Sequence, residues 1–212
     1  MLEDILLIAD HHRRAAEDIL KVIDEKRTPK FIVAISGESG SGKSELTHVI
    51  AKELFKKGIV AKPIHIDNFY KTLPLERTAW RREQGVENVV GHGEYDWNAI
   101  SSVLRSFREG IRCEMPCVDL VTQRVDRLIT DFSEIEVLVI DGLYAIKTPG
   151  VDLAVMIDLT YHETKKAQSS RGKENTDEFR FRVLEAEHQA VQALRPLAHL
   201  FVSKEYHVYK AS

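Results

Sequence analysis

The stretch GESGSGKS, residues 37–44, decides the reading of this chain, because an apolar run precedes it and a helical pattern follows it. It fits G-x-x-x-x-G-K-[ST], a phosphate-binding loop whose meaning depends on lying between a strand and a helix. Upstream, FIVAIS at 31–36 is short and rich in β-branched residues, and it reads as a buried strand. Downstream, ELTHVIAKELFKK at 45–57 places Leu46, Val49, Ile50 and Leu54 at helical spacing. Gly37, Gly40 and Gly42 let the backbone curl so that successive N–H groups face one anion at the positive end of that helix. The expected nucleotide-binding residues are therefore Gly37, Glu38, Ser39, Gly40, Ser41, Gly42, Lys43 and Ser44. Lys43 supplies a mobile charge for the β- and γ-phosphates of a nucleotide, and the Ser44 hydroxyl is placed to ligate Mg²⁺.

Composition sets the outer bounds. With 212 residues, 43% of them hydrophobic, the chain is long enough for one substantial core, and one domain is expected over 1–212. Thirty basic and thirty-three acidic residues give a formal charge of −3 without a long run of either sign, which argues against a nucleic-acid partner. Cys113 and Cys117 lie four residues apart in one predicted strand, poor geometry for a disulfide and no metal-ligand spacing. They read as small buried hydrophobes of a reducing compartment. The opening Met1-Leu2-Glu3-Asp4 lacks the basic segment of a secretory signal, and no apolar run is long enough to span a membrane. A cytoplasmic protein with no membrane partner is expected.

Periodicity organises the rest. Residues 2–26 carry apolar positions mostly at helical spacing and predict an amphipathic helix, ended by Thr28-Pro29, that either caps the core or makes a homo-oligomer contact. Within it, His11 and His12 suit a solvated or capping role better than metal binding. Gly58 stops the loop helix, and 59–67 predicts a second strand ending at Asp67. Residues 72–95 read as irregular around a short helix near 79–83, and 96–108 as a helix capped by Asp96 and ended at Gly110. Residues 113–120 and 125–130 suggest a hairpin on the sheet edge. EVLVID at 136–141 and VDLAVMIDL at 151–159 are near-continuous apolar runs, the mark of strands buried on both faces. Residues 162–198 read as mainly helical and 199–203 as a last strand. Strands alternating with helices predict an α/β fold with a mainly parallel sheet and ligands at the strand C-termini.

Three aspartates fall at or near strand ends. Asp141 follows four apolar residues, a pattern in which the carboxylate holds Mg²⁺ directly or through water, although Asp141-Gly142 also suits a plain turn. Asp67 precedes Asn68-Phe69-Tyr70-Lys71, and a carboxylate there can deprotonate an attacking hydroxyl or merely cap the turn. Asp158 lies among apolar neighbours without a motif and reads as structural.

From about Pro29 to Tyr209 the chain resembles the phosphoribulokinase/uridine kinase family of P-loop kinases. The resemblance rests on IDNFYK at 66–71, similar to the family's D-S-F-Y-K, and EYDWNAI at 94–100, similar to N-F-D-H-P-D-A-F. MPCVDLVTQR at 115–124 is similar to P-x-Y-D-F-x-x-H-x-R, and VIDGLYAI at 139–146 to F-E-G-I-L-A. It implies a P-loop NTPase fold of three α/β/α layers with a mobile helical lid, the lid and C-terminal helices falling in 162–198. It also implies an ATP- and Mg²⁺-dependent kinase acting on a small-molecule phosphate acceptor, by positioning and electrostatic stabilisation. Asp67 would be the base, with Lys43 and Arg171 as further catalytic residues. Tyr70, Asp96, Gln123 and Arg124 would meet the acceptor, Asp96 through ribose-type hydroxyls, while Ser44 and Asp141 would hold the metal.

Two departures matter. Val118 and Gln123 stand where the family has an aromatic residue and a base-reading histidine, so recognition of a pyrimidine loses support while a ribose-bearing acceptor keeps it. The lid stretch ETKKAQSSRGKEN at 163–175 lacks the family's run of arginines but keeps positive charge through Lys165, Lys166, Arg171 and Lys173. Pantothenate or a sugar phosphate is an alternative acceptor, and a nucleotide-binding regulatory protein without turnover an alternative function. A GTPase-type switch would need a guanine-reading [NT]-K-x-D, and no Lys-x-Asp occurs in the chain.

Overall fold

A computed structural model describes residues 5–164 and 178–211. Along the chain run α1 (Asp10–Lys26), β1 (Phe31–Gly37), α2 (Lys43–Lys56), β2 (Ala61–His65), α3 (Pro74–Gln84), α4 (Val86–Val89) and α5 (Trp97–Glu109). There follow β3 (Arg112–Val118), β4 (Val125–Asp131), β5 (Val137–Asp141), β6 (Leu153–Ile157), α6 (Glu178–Gln192), β7 (Leu200–Val202) and β8 (Val208–Lys210). Six strands form one sheet in the order β2-β5-β1-β6-β7-β8, parallel except for β8, which returns antiparallel to β7.

Every residue of β1, β5 and β6 is buried, which is why their sequences are apolar throughout rather than alternating. The strand period of two still divides them between two cores. Phe31, Val33, Ile35, Val137, Val139 and Val155 pack against Ile19 and Ile23 of α1 and Leu46, Ile50 and Leu54 of α2. Ile32, Ala34, Leu138, Ile140, Ala154 and Met156 pack on the opposite face, with Val103 and Phe107 of α5 and Val191 of α6. The predicted α/β architecture with a mainly parallel sheet is the one observed. Among the described residues no helix is long and apolar enough to cross a membrane.

The structure corrects several expectations. The first helix starts at Asp10 rather than Leu2, because residues 7–9 are held otherwise. Leu7 N–H donates to Glu45 Oε1 at 3.2 Å, and Ala9 N–H donates to His12 Nδ1 at 3.0 Å, giving His12 the capping role. Strand β2 stops at His65, and Asp67 sits in the 3-10 turn Ile66–Phe69 that follows. Instead of a short helix near 79–83, α3 runs from Pro74, favoured in a first turn, to Gln84. The predicted hairpin forms, but as a separate two-stranded sheet, in register from Arg112↔Asp131 to Val118↔Val125. It extends neither edge of the main sheet, β2 or β8, and β3 packs on α5 instead, burying Met115 and Cys117. Both cysteines are free thiols, Cys117 buried and Cys113 only partly so. Of the stretch 162–198, α6 covers Glu178–Gln192; the lid residues Lys165, Lys166, Arg171 and Lys173 lie outside the described residues. Strand β8 had no sequence signal, being three residues in a polar tail.

Candidate active site

The phosphate-binding loop leaves β1 and enters α2 through Gly42, whose φ of +85° is a left-handed conformation that suits glycine. A Cβ there would meet the Tyr206 hydroxyl at 2.3 Å and His12 Nε2 at 2.7 Å, so the loop is backed by both ends of the chain. Tyr206 Oη donates to Ser41 O at 2.7 Å and Thr164 Oγ1 donates to Ser39 O at 2.8 Å, which fixes two of the loop's carbonyls. Lys43 Nζ donates to Glu38 O at 2.9 Å and so lies folded back along the loop, while Ser44 is partly buried in the first turn of α2. Glu38 itself is buried and turned out of the cradle towards α6.

Asp141 ends β5, beside β1, with Ile35↔Asp141 in register. Its Oδ1 accepts from His65 Nδ1 at 2.8 Å, whereas Oδ2 is buried with no hydrogen-bond partner among the described residues. A buried carboxylate oxygen without a donor is costly, and a divalent cation is a fitting partner for it. No cluster of three or more His, Cys, Asp and Glu side chains capable of gathering a metal exists among the described residues. A sparse set of one hydroxyl and one carboxylate, completed by phosphate oxygens and water, is how Mg²⁺ is commonly held. The donors present therefore fit it. Gly142, with φ +152°, lets the chain pass so close to Ile66 that a Cβ would fall 2.1 Å from Ile66 Cγ1. The turns after β2 and β5 are thus in direct contact.

Asp67 is partly buried, and Tyr95 Oη donates to its Oδ1 at 3.0 Å. Tyr95 Oη is also 2.6 Å from Tyr70 Oη; with its one proton committed to the carboxylate, Tyr95 accepts there and Tyr70 donates. The two rings lie 4.2 Å apart, and the Arg77 guanidinium sits 3.4 Å over the Tyr70 ring. Burial first, and then the Asp67 carboxylate, holds both hydroxyls above the ordinary phenol range, so both stay protonated. Backbone pairing brings the two motifs together: Asp96 N–H donates to Phe69 O at 2.8 Å, and Lys71 N–H to Glu94 O at 2.9 Å. Asp96 is exposed and caps α5, its Oδ1 accepting from Ala99 N–H at 3.0 Å.

The β3–β4 hairpin is tethered to the same turn, since Asn68 Oδ1 accepts from Val118 N–H at 2.9 Å. Val118 is buried there, Gln123 Nε2 donates to Leu120 O at 2.7 Å across the hairpin turn, and Arg124 is exposed. Behind Tyr70 lies a buried ion pair: Arg81 grips both Glu94 oxygens at 2.7 and 2.9 Å and reaches Glu187 of α6 at 3.5 Å. The structure thus gathers Asp67, Tyr70, the phosphate loop and Asp141, with Asp96 and the hairpin at the margin; Arg171 lies outside the described residues. Sequence reasoning missed His65, Tyr95, Arg81 and the partners of Glu38. Only His65, two residues from Asp67 in IHID, carried a local hint.

Comparison with known proteins places this geometry in a family. The sequence profile described as the phosphoribulokinase / uridine kinase family matches residues 32–179. A bifunctional alpha-galactosidase/sucrose kinase of Mediterraneibacter gnavus is 27% identical over 217 residues, covering 93% of this chain and 22% of that protein. A uridine kinase of Ureaplasma parvum is 26% identical over 117 residues, 55% of this chain and 54% of its own length. The chain thus spans from about a fifth to about half the length of these curated relatives. Among solved structures, D-glycerate 3-kinase from Cryptococcus neoformans superposes with a TM-score of 0.62 at 14% identity, over 94% of this chain and 99% of that one. Phosphoribulokinase from Rhodobacter spheroides gives 0.59 at 14% identity, over 84% and 70%. With the family profile spanning well over half its residues, the chain belongs to the phosphoribulokinase/uridine kinase family of P-loop kinases.

Proposed function

We propose that this protein is an ATP- and Mg²⁺-dependent kinase that transfers the γ-phosphate to a hydroxyl of a small, ribose-bearing acceptor. The observation that carries the reading is adjacency. Strand order β2-β5-β1 sets Asp67, Asp141 and the phosphate loop side by side at one end of the sheet. With strands about 4.8 Å apart, the ends of β2 and β1 are separated by about 10 Å, room for a phosphoryl group and an attacking hydroxyl. Asp67 takes the hydroxyl proton as the acceptor oxygen bonds to the γ-phosphorus and the bridging oxygen leaves with ADP. Tyr95, donating to Oδ1, orients that carboxylate and leaves Oδ2 to receive the proton. Lys43 swings from Glu38 O to the phosphates, and Ser44 and Asp141, whose Oδ2 has no partner among the described residues, would hold the metal. The charge on the transferring phosphoryl group would be neutralised by the Mg²⁺ these residues would hold.

A carbohydrate acceptor is the second reading. The sucrose kinase match covers 93% of this chain against 55% for the uridine kinase, Val118 offers no ring for a base to stack on, and Asp96 is already engaged as a helix cap. ADP release with uridine, cytidine, ribulose 5-phosphate, glycerate, pantothenate, fructose and sucrose separates the readings. Ribose-bearing acceptors should turn over, and 2′-deoxy analogues more slowly. Turnover of sucrose or fructose alone would move the assignment to carbohydrates; ATP binding with no turnover would support a regulatory protein. For the active acceptor, Asp67→Asn should lower kcat by roughly 10²–10⁴-fold with ATP affinity unchanged. A parallel loss of ATP affinity would remove the base assignment.

A further inference from the structure

A carboxylate inside a phosphate cradle is an electrostatic liability, since its charge repels the anion the loop must bind. Glu38 occupies that position and is 2% exposed. Its side chain is held away from the cradle by three donors that belong to no phosphate-binding motif. Tyr161 N–H reaches Oε2 at 2.7 Å, while His188 Nδ1 and Gln192 Nε2 reach Oε1 at 2.7 and 2.8 Å. His188 and Gln192 are four residues apart, one face of α6 aimed at the loop. The main-chain oxygen of the same residue accepts from Lys43 Nζ at 2.9 Å, and that of the next residue accepts from Thr164.

We propose that Glu38 is a positioning residue through which α6 sets the shape of the phosphate-binding loop, so that ATP affinity depends on the His188–Glu38–Gln192 contact. The inference rests on the proposed reading of the loop as the ATP site. Holding the side chain outward keeps the negative charge off the phosphates and orients the carbonyl against which Lys43 rests. Releasing it frees the carboxylate to turn back into the cradle. The ring of His188 is itself packed by Tyr161 and His162, at 5.9 and 6.2 Å between centroids, so the donor is held and not merely near.

The test is a binding experiment on the full chain, with ATP titrated by calorimetry and melting temperature recorded alongside. His188→Ala should weaken ATP binding by about tenfold, because it removes the donor and leaves Glu38 in place. His188→Asn, whose amide nitrogen overlays the lost Nδ1, should restore affinity to within about twofold. Glu38→Ala removes the liability together with the anchor, so adding His188→Ala to it should weaken binding by less than about twofold more. Lys43→Ala is the control for the reading beneath: if it binds ATP as well as wild type does, the loop is not the ATP site. If Lys43→Ala does weaken binding, three results would still overturn the role of Glu38. They are unchanged affinity in His188→Ala, failure of His188→Asn to rescue, and full additivity in the double variant.

Discussion

At the scale of single residues, the site is governed by where each proton must sit. Tyr95 is fully buried and its hydroxyl touches both Asp67 and Tyr70, so it has one donor role and one acceptor role, each filled. Tyr95→Phe deletes both at once while keeping the ring that packs 5.5 Å from Tyr144. Hydrogen bonds to charged groups contribute about 1.5–3 kcal/mol, so kcat should fall by roughly ten- to a hundredfold through loss of Asp67 orientation. The KM for ATP should stay as it was, because the hydrogen bonds and ring contacts of Tyr95 among the described residues go to Asp67, Tyr70, Trp97 and Tyr144 rather than to the phosphate loop. Steady-state kinetics decides it: a rise in KM for ATP with unchanged kcat would mean that Tyr95 shapes the nucleotide site instead. None of this pairing was legible beforehand. Asp67 stood out by its place after a strand, but Tyr95 is 28 residues away and read as part of a flexible approach to Asp96.

At the scale of elements, what the sequence revealed was whatever repeats locally. β1, the loop and α2 are contiguous, and their apolar spacing switches from strand to helix across residues 37–44, so they were readable. The central strands were readable because burial on both faces leaves no polar position. Contacts between elements were not: His65 meets Asp141 across 76 residues and Glu38 meets His188 across 150, distances that only the sheet order closes. The packing of the 142 turn on the 66 turn is of this second kind, and it makes Gly142 critical. Gly142→Ala would drive a Cβ to 2.1 Å from Ile66 Cγ1, an atom near the backbone of a side chain 1% exposed, at a φ that L-residues rarely adopt. Overpacking plus backbone strain should cost roughly 2–5 kcal/mol, read as a lower urea midpoint. Because Ile66 leads into Asp67, kcat should drop further than ATP affinity. Gly93→Ala, with open space at its Cβ, is the control and should shift stability by no more than about 0.5 kcal/mol.

At the scale of the whole molecule, the two faces of the sheet carry different burdens. The α1–α2 face buries His12, Glu45 and Thr47 among its apolar side chains, while the α5–α6 face encloses Tyr70, Tyr95, Tyr144, Arg81, Glu94 and Glu187 beside the site. Such a polar interior has a signature in alkaline solution. Burial, chiefly, holds the Tyr95, Tyr70 and Tyr144 hydroxyls well above the usual phenol range, with Asp67 adding to the first two and Glu187 to the third. Tyr161 is pushed up to about 12 by burial and by Glu185. A folded-state value above the unfolded one means the native chain keeps protons that the unfolded chain releases. Stability from these groups is therefore intact below about pH 10 and is lost as pH rises towards their native values. Each tyrosine steepens that loss by up to about 1.4 kcal/mol per pH unit. Urea unfolding measured from pH 8.5 to pH 11 (values near the unperturbed phenol pKa of about 10) should give a plateau followed by a decline. Tyr95→Phe should start lower but decline less steeply, having one proton fewer to lose on unfolding. Identical slopes above about pH 10 in the two proteins would mean that Tyr95 does not keep its proton there, and with it the donor that orients Asp67 would be gone.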